Sequence, residues 1–142
     1  MIVQDFKKIL TLYATTPDMN KIELGKFGEK YAADFLRSQG YRILTTNFRT
    51  RFGEIDLIAL DISSSRELVF VEVKTRTGES FGLPQESVTY SKKEKLLKTA
   101  LHFLSVSSPK IYSGWRIDVI AVKLDERYRL KDINHFKNIF NG

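Results

Sequence analysis

Glu72 and Lys74 stand two residues apart at the end of Leu68-Val69-Phe70-Val71-Glu72-Val73-Lys74, a run that is otherwise apolar on both faces of a strand. Strand side chains alternate, so Leu68, Phe70, Glu72 and Lys74 project to one side while Val69, Val71 and Val73 project to the other. An unpaired buried charge is costly enough that Glu72 requires an opposite charge or a metal ion. A second carboxylate comes from Gly53-Glu54-Ile55-Asp56-Leu57-Ile58-Ala59-Leu60, joined to the first run by the polar, Ser-rich stretch 61–67. The two runs read as an antiparallel hairpin. With the turn centred on Ser64, Asp56 faces Glu72, Ile58 faces Phe70 and Leu60 faces Leu68, which puts the two carboxylates about 5 Å apart at their Cβ atoms. A slip of one residue would send Asp56 to the opposite face, and the matched apolar positions argue against it.

A third acid is carried by a helix predicted over 28–39, with Ala32, Ala33, Phe35 and Leu36 apolar and Gly40 as its stop. Glu29 precedes Ala32, Ala33 and Leu36 by three, four and seven residues and so shares their face. An acid in a first helical turn also gains about 0.3–1 kcal/mol from the helix dipole, so Glu29 taken alone fits either role. Three acids and a lysine directed at one place suit metal-assisted phosphodiester hydrolysis. Carboxylate oxygens select hard cations such as Mg2+ or Mn2+, which keep waters and bind phosphate oxygens. Lys74 is placed to orient a water or to stabilise charge building on the phosphate.

Asp56 with Glu72-Val73-Lys74 fits the D-x(n)-E-x-K signature of the PD-(D/E)xK nucleases, with Ile55 where the motif's name places proline. Gly25-x-x-Gly28-Glu29-x-x-Ala32, Asn47-x-Arg49, Gly53-Glu54-Ile55-Asp56-Leu57-Ile58, Phe70-Val71-Glu72-Val73-Lys74-x-Arg76, Gly82-x-Pro84 and Arg116-x-Asp118-Val119-Ile120 follow in order. Together this series resembles the bacterial YraN family of small endonuclease-like proteins, from about Gly25 to Phe136. The resemblance implies a restriction-endonuclease-like fold related to Holliday-junction resolvases. It also implies Asp56 and Glu72 as metal ligands, Glu29 as a further direct or water-mediated ligand, and a homodimer suited to two-fold symmetric substrates.

The elements that must position these residues form an α/β layout. Tyr41 to Arg49 alternates as a first strand and leads into the hairpin. Ser91 with Glu94 suggests a capping box opening a helix whose apolar face is Leu96, Leu97, Ala100, Leu101 and Leu104. Arg116 to Val122 reads as a fourth strand; the intervening helix allows it to lie parallel to the third, giving an αβββαβ core with a central mixed β-sheet flanked by helices. The tail from Asp125, with Asp132-Ile133-Asn134-His135-Phe136, adds a short edge element. Residues 1–24 form an accessory segment, helical before Pro17, and residues 25–142 one nuclease-like domain.

With 142 residues, 42% hydrophobic and 12% aromatic, the chain can bury one core. It has no cysteine, which excludes disulfides and thiolate metal sites. No stretch near 20 apolar residues or signal core is present, so no membrane partner and a cytoplasmic location are expected. A net charge of +6 favours a polyanionic partner.

Arg49, Arg51 and Arg76 flank the proposed site, and Lys92, Lys93 and Lys95 open the second helix; all six suit phosphate contacts that position a nucleic-acid backbone. Phe48, Phe52, Phe81 and Tyr90 could stack on an unpaired base, with core packing the simpler role for most. Glu54 and Gln85 are candidates for the shell behind the ligands. Asp118 is best explained by a partner such as Arg116. His102 is expected in a helix core and His135 in the tail, neither with a ligand-like neighbour. The leading expectation is a Mg2+- or Mn2+-dependent endonuclease acting on DNA in preference to RNA, including branched DNA. A nucleic-acid-binding module that does not cut is the alternative, and an assembly protein with a structural charge network a third.

Overall fold

The computed structural model describes residues 20–78, 88–107 and 112–140. In chain order they form α1 (Lys21–Ser38), β1 (Tyr41–Thr50), β2 (Gly53–Asp61), β3 (Leu68–Thr77), α2 (Tyr90–Val106), β4 (Trp115–Leu124) and β5 (Leu130–Phe136). The strands make one five-stranded sheet in sequential order. β1 to β3 form an antiparallel meander, β4 runs parallel to β3, and β5 returns antiparallel along the edge. The protein is thus a mixed α/β domain, with a mixed sheet between two helices. Among the described residues, no helix is long and apolar enough to cross a membrane.

The expected hairpin register holds, with Ile58 opposite Phe70 and Leu60 opposite Leu68. The two sides of β3 also separate as alternation requires. Val69 and Val71 join Leu57, Ile120, Val122 and the α1 residues Tyr31, Ala32 and Leu36, whereas Leu68 and Phe70 join Ile58, Ile117 and the α2 residues Leu96 and Ala100. Two cores, one beneath each helix, therefore clamp the central strands.

Both helices begin earlier than expected. α1 starts at Lys21 rather than at Gly28, because Asn20 accepts from Glu23 N while the Glu23 side chain accepts from Asn20 N, a reciprocal cap. Lys21 to Leu24, assigned above to the N-terminal segment, belong to this helix, and Leu24 packs on the α1-side core. Thr89, not Ser91, caps α2 by accepting from Lys92 N, so the expected Ser91–Glu94 box does not form. The buried face of α2 runs through Leu96, Thr99 and Ala100 with Phe103 packed beside it, which leaves Leu101 48% exposed and His102 at the surface beside Phe48 and Phe52, correcting both core assignments. Residues 1–19, with the proposed early helix, and the stretch carrying Phe81, the Gly82-x-Pro84 motif and Gln85 lie outside the described residues.

Gly28 sets how closely α1 approaches the sheet. A Cβ there would stand 1.8 Å from Thr75 Oγ1 and 2.7 Å from Thr75 Cβ, so only glycine lets the helix lie against β3 at this point. The adjacent residue is Glu29. Close helix packing and site geometry are thus linked through one residue.

Candidate acid–lysine site

Asp56 sits where the regular ladder between β2 and β3 stops. The last paired residues are Leu57 and Val71, and the next backbone donor on β3, Val73 N, is taken by Asp56 Oδ2 at 2.7 Å. Alternation along β2 also breaks here: Leu57 faces α1 and Ile58 faces α2, yet Ile55 lies on the α2 side with Ile58. The irregularity lets the Asp56 carboxyl meet Glu72, which points toward α2, and Glu29, which comes from α1. All three acids line one open cavity of about 500 Å3 that Thr75 and Arg76 also border.

Burial, with the Glu72 carboxylate beside it, pushes the Asp56 carboxyl up to about 8, despite the opposing bond from Val73 N. Burial likewise raises Glu29; the charges of Glu54 and Glu72 add to that shift, and a bond from Asn47 opposes it. Glu72 is only 4% exposed and is compensated by two ammonium groups. Lys74 Nζ lies 3.4 Å from its Oε1, and Lys92 Nζ lies 2.8 Å from the same oxygen. Burial disfavours the Lys92 ammonium, but the bond to Glu72 and its charge outweigh that effect and raise its pKa, so Lys92 is held charged.

Lys92 is the main difference from the sequence-based expectation, which grouped it with Lys93 and Lys95 on an outer basic patch. It reaches inward to Glu72 from the first turn of α2. Lys93 is half-buried and Lys95 exposed. Arg49 is engaged by Glu54 at 3.2 Å, and the Arg51 guanidinium lies 4.8 Å from the centroid of the Phe52 ring. Phe48 packs into the α2-side core, while Tyr90 is 78% exposed at the start of α2.

Asn47 was not singled out as a site residue. The pairs Thr46–Leu57 and Phe48–Ile55 place it across from Asp56, and it adopts a left-handed backbone with φ 52°. With its amide nitrogen turned to the acids, it donates to Glu54 Oε1 at 2.9 Å and Glu29 Oε2 at 3.2 Å. Glu54 is thereby tied to the site from behind. An Asn in a strand adjoining an acid-bearing strand was the available signal, since Asn tolerates positive φ.

The anionic donors in the cavity are carboxylate oxygens, a set matched to hard cations. Among the described residues, no three acidic or histidine side chains stand together at metal-ligand spacing, and the cations meeting Glu72 are lysines.

A second polar cluster lies at the other end of the sheet. Arg116, buried, donates through Nε to Asp118 at 3.1 Å, through Nη1 to Glu67 at 3.1 Å and through Nη2 to Tyr41 Oη at 2.9 Å, with Asp61 3.5 Å away. Asp118 is fully buried and also meets Asn138 N at 2.8 Å and His135 Nε2 at 2.7 Å. Arg116 is the expected partner of Asp118; the expectation that His135 had no ligand-like neighbour is corrected, since it faces this carboxylate. One guanidinium serves three carboxylates here, and the cluster ties β1, β2, β4 and β5 together.

Fold and site together define a small mixed α/β domain that gathers acids and lysines at the point where a central hairpin opens. The chain belongs to UPF0102, described as "Uncharacterised protein family UPF0102", whose model matches residues 28–122, from Gly28 beside Glu29 to Val122 within β4. It is 46% identical over 123 residues to a UPF0102 protein of Caldanaerobacter subterraneus subsp. tengcongensis, covering 86% of this chain and 98% of that one. It is 48% identical over 122 residues to a UPF0102 protein of Thermodesulfovibrio yellowstonii, covering 86% and 99%. A UPF0102 protein of Caldicellulosiruptor bescii is 43% identical over 122 residues, covering 86% and 100%.

Proposed function

We propose that the protein is a metal-dependent endonuclease that hydrolyses phosphodiester bonds in DNA, branched or otherwise structured DNA included. The observation that carries this reading is the convergence of Glu29, Asp56 and Glu72 on one open cavity, with Lys74 bonded to Glu72. A module that only bound phosphate would gain nothing from three acids at its binding surface. The order of α1, β1 to β3, α2 and β4, with β3 parallel to β4, supports a restriction-endonuclease-like core.

Asp56 and Glu72 are the proposed ligands of Mg2+ or Mn2+, and Glu29 a third, direct or through water. The raised pKa of Asp56 fits this role, because a bound cation favours its ionised form over the protonated one that burial favours. Such an ion would supply Lewis acidity and a more acidic bound water. Asp56 and Glu72 hold their positions through the Val73 amide and the β3 backbone. Lys74 projects beside Glu72, where its ammonium can orient a water or balance charge developing on the phosphate. Asn47 keeps Glu29 and Glu54 from swinging to solvent.

The test is a cleavage screen over duplex, flap, single-stranded and four-way DNA with Mg2+ or Mn2+. Lys74→Ala is expected to keep fold and metal binding while losing about 10²- to 10³-fold in rate. Glu72→Gln should lose cleavage together with metal affinity, and both variants should still bind DNA. Binding without cleavage by the wild type on every substrate would favour the non-cutting module. Cleavage unchanged in both variants would refute the assignment.

A further inference from the structure

Two ammonium groups serve Glu72, and they come from different elements. Lys74 shares β3 with Glu72, and its proximity follows from strand alternation. Lys92 reaches the same oxygen from α2, across the layer boundary, and makes the shorter contact at 2.8 Å against 3.4 Å. Its side chain retains 42% exposure, so the ammonium lies between a buried carboxylate and solvent.

Charge balance gives this arrangement a direction. With a divalent cation bound and Glu29, Asp56 and Glu72 all ionised, the three acids, Lys74, Lys92 and the cation sum to one positive charge, and a single phosphodiester group then neutralises the site. Lys92 and a metal ion compete for Glu72 Oε1, whereas Lys92 and a phosphate oxygen attract each other. A lysine on an outer rim stands in the second relation only.

Resting on the endonuclease reading, we infer that Lys92 is a second phosphate-contacting lysine of this site: it holds Glu72 while the metal is absent and passes to a non-bridging oxygen of the bound phosphodiester when the metal takes Glu72. Lys92 thereby couples the two ligands. Metal binding frees the ammonium for the substrate, and the substrate draws it off the carboxylate, so each ligand strengthens the other.

Three measurements on Lys92→Ala, with Lys92→Gln as the length-conserving variant should alanine not fold, test the inference. Titration of Mn2+ alone, without nucleic acid, should give several-fold tighter binding than wild type, because the internal competitor has been removed. Affinity for DNA should rise less steeply with Ca2+ than that of the wild type, and its salt dependence should fall by about 0.9, the contribution of one phosphate contact on duplex DNA. Cleavage in Mn2+ should fall at least tenfold. Mn2+ affinity unchanged or weakened would mark Lys92 as a structural partner of Glu72 and overturn the inference while leaving the endonuclease reading intact. Wild-type protein that binds no Mn2+ would overturn both.

Discussion

At the scale of single residues, the Asp56 carboxyl carries the largest consequence for stability. Burial, then Glu72, pushes it up to about 8, whereas an unfolded chain has it near 3.9, roughly. The folded protein therefore retains a proton that the unfolded chain releases, and the contribution of this group to metal-free stability is full below about pH 4 and is lost as pH rises toward 8. Asp56→Asn should flatten that decline and raise the metal-free Tm at pH 8 by about 4 °C or more, while abolishing any rise produced by Mg2+. Thermal melts in chelator from pH 5 to 8.5 decide it; parallel curves for both proteins would place the proton elsewhere. The three acids and Lys74 were legible in the sequence because each interrupts an apolar pattern. Lys92 and Asn47 were not. A lysine in Ser91-Lys92-Lys93-Glu94-Lys95 has the pattern of a solvated helix start, and only the crossing of α2 over β3 turns one of the group inward. Asn47 owes its place to a left-handed backbone that no periodicity encodes.

At the scale of elements, the contact between α1 and β3 is the point where packing and chemistry meet. Gly28→Ala puts a methyl into Thr75 and should cost about 1–3 kcal/mol through overpacking. By moving Glu29 it should also reduce the stabilisation by Mg2+. The same change made together with Thr75→Ala, which removes two of the three opposing atoms, should cost measurably less; equal costs in chemical denaturation would refute the contact. Arg116 provides the contrast. Arg116→Ala strands Asp61, Glu67 and Asp118 and should lose about 3–5 kcal/mol, with Mn2+ affinity unchanged because the cluster lies at the far end of the sheet. Strand identity and the hairpin register were readable from matched apolar positions, since a slip of one residue would have moved each of them to the opposite face. Helix starts were read late in both cases. Gly25 and Gly28 obscured the first turns of α1, and Thr89 competed with Ser91 for a cap that only one of them could make.

At the scale of the whole molecule, a net charge of +6 is spread over a surface whose basic groups are not equivalent. Arg49 is engaged by Glu54, and Lys92 rests on Glu72 until a bound phosphate draws it off, so Arg51, Arg76, Lys93 and Lys95 are the proposed backbone contacts not committed to a carboxylate among the described residues. The logarithm of DNA affinity should fall linearly with that of salt, by about 0.9 for each phosphate contacted. Lys93→Ala with Lys95→Ala should lower the slope by up to about two such steps and leave Mn2+ affinity as in wild type. An unchanged slope would remove these lysines from the interface. The sequence could count positive charges, but it could not say which were already committed to a carboxylate in the fold.

The parallel pairing of β3 with β4 also dictates a temporal order. β1, β2 and β3 are joined by short turns and can pair locally, whereas β4 must wait for the long crossover through α2 to close, a slower event because its loop entropy is larger. Asp56 and Glu72 therefore face each other early, and the ammonium of Lys92 arrives late. Truncating Lys92 should accordingly speed unfolding with little change in the refolding rate, whereas truncating Ile58 or Phe70 in the hairpin should slow refolding. On this order the acids stand together before their helix-borne counterion arrives, and the kinetic limb on which each substitution appears tells whether its contact forms before or after the transition state.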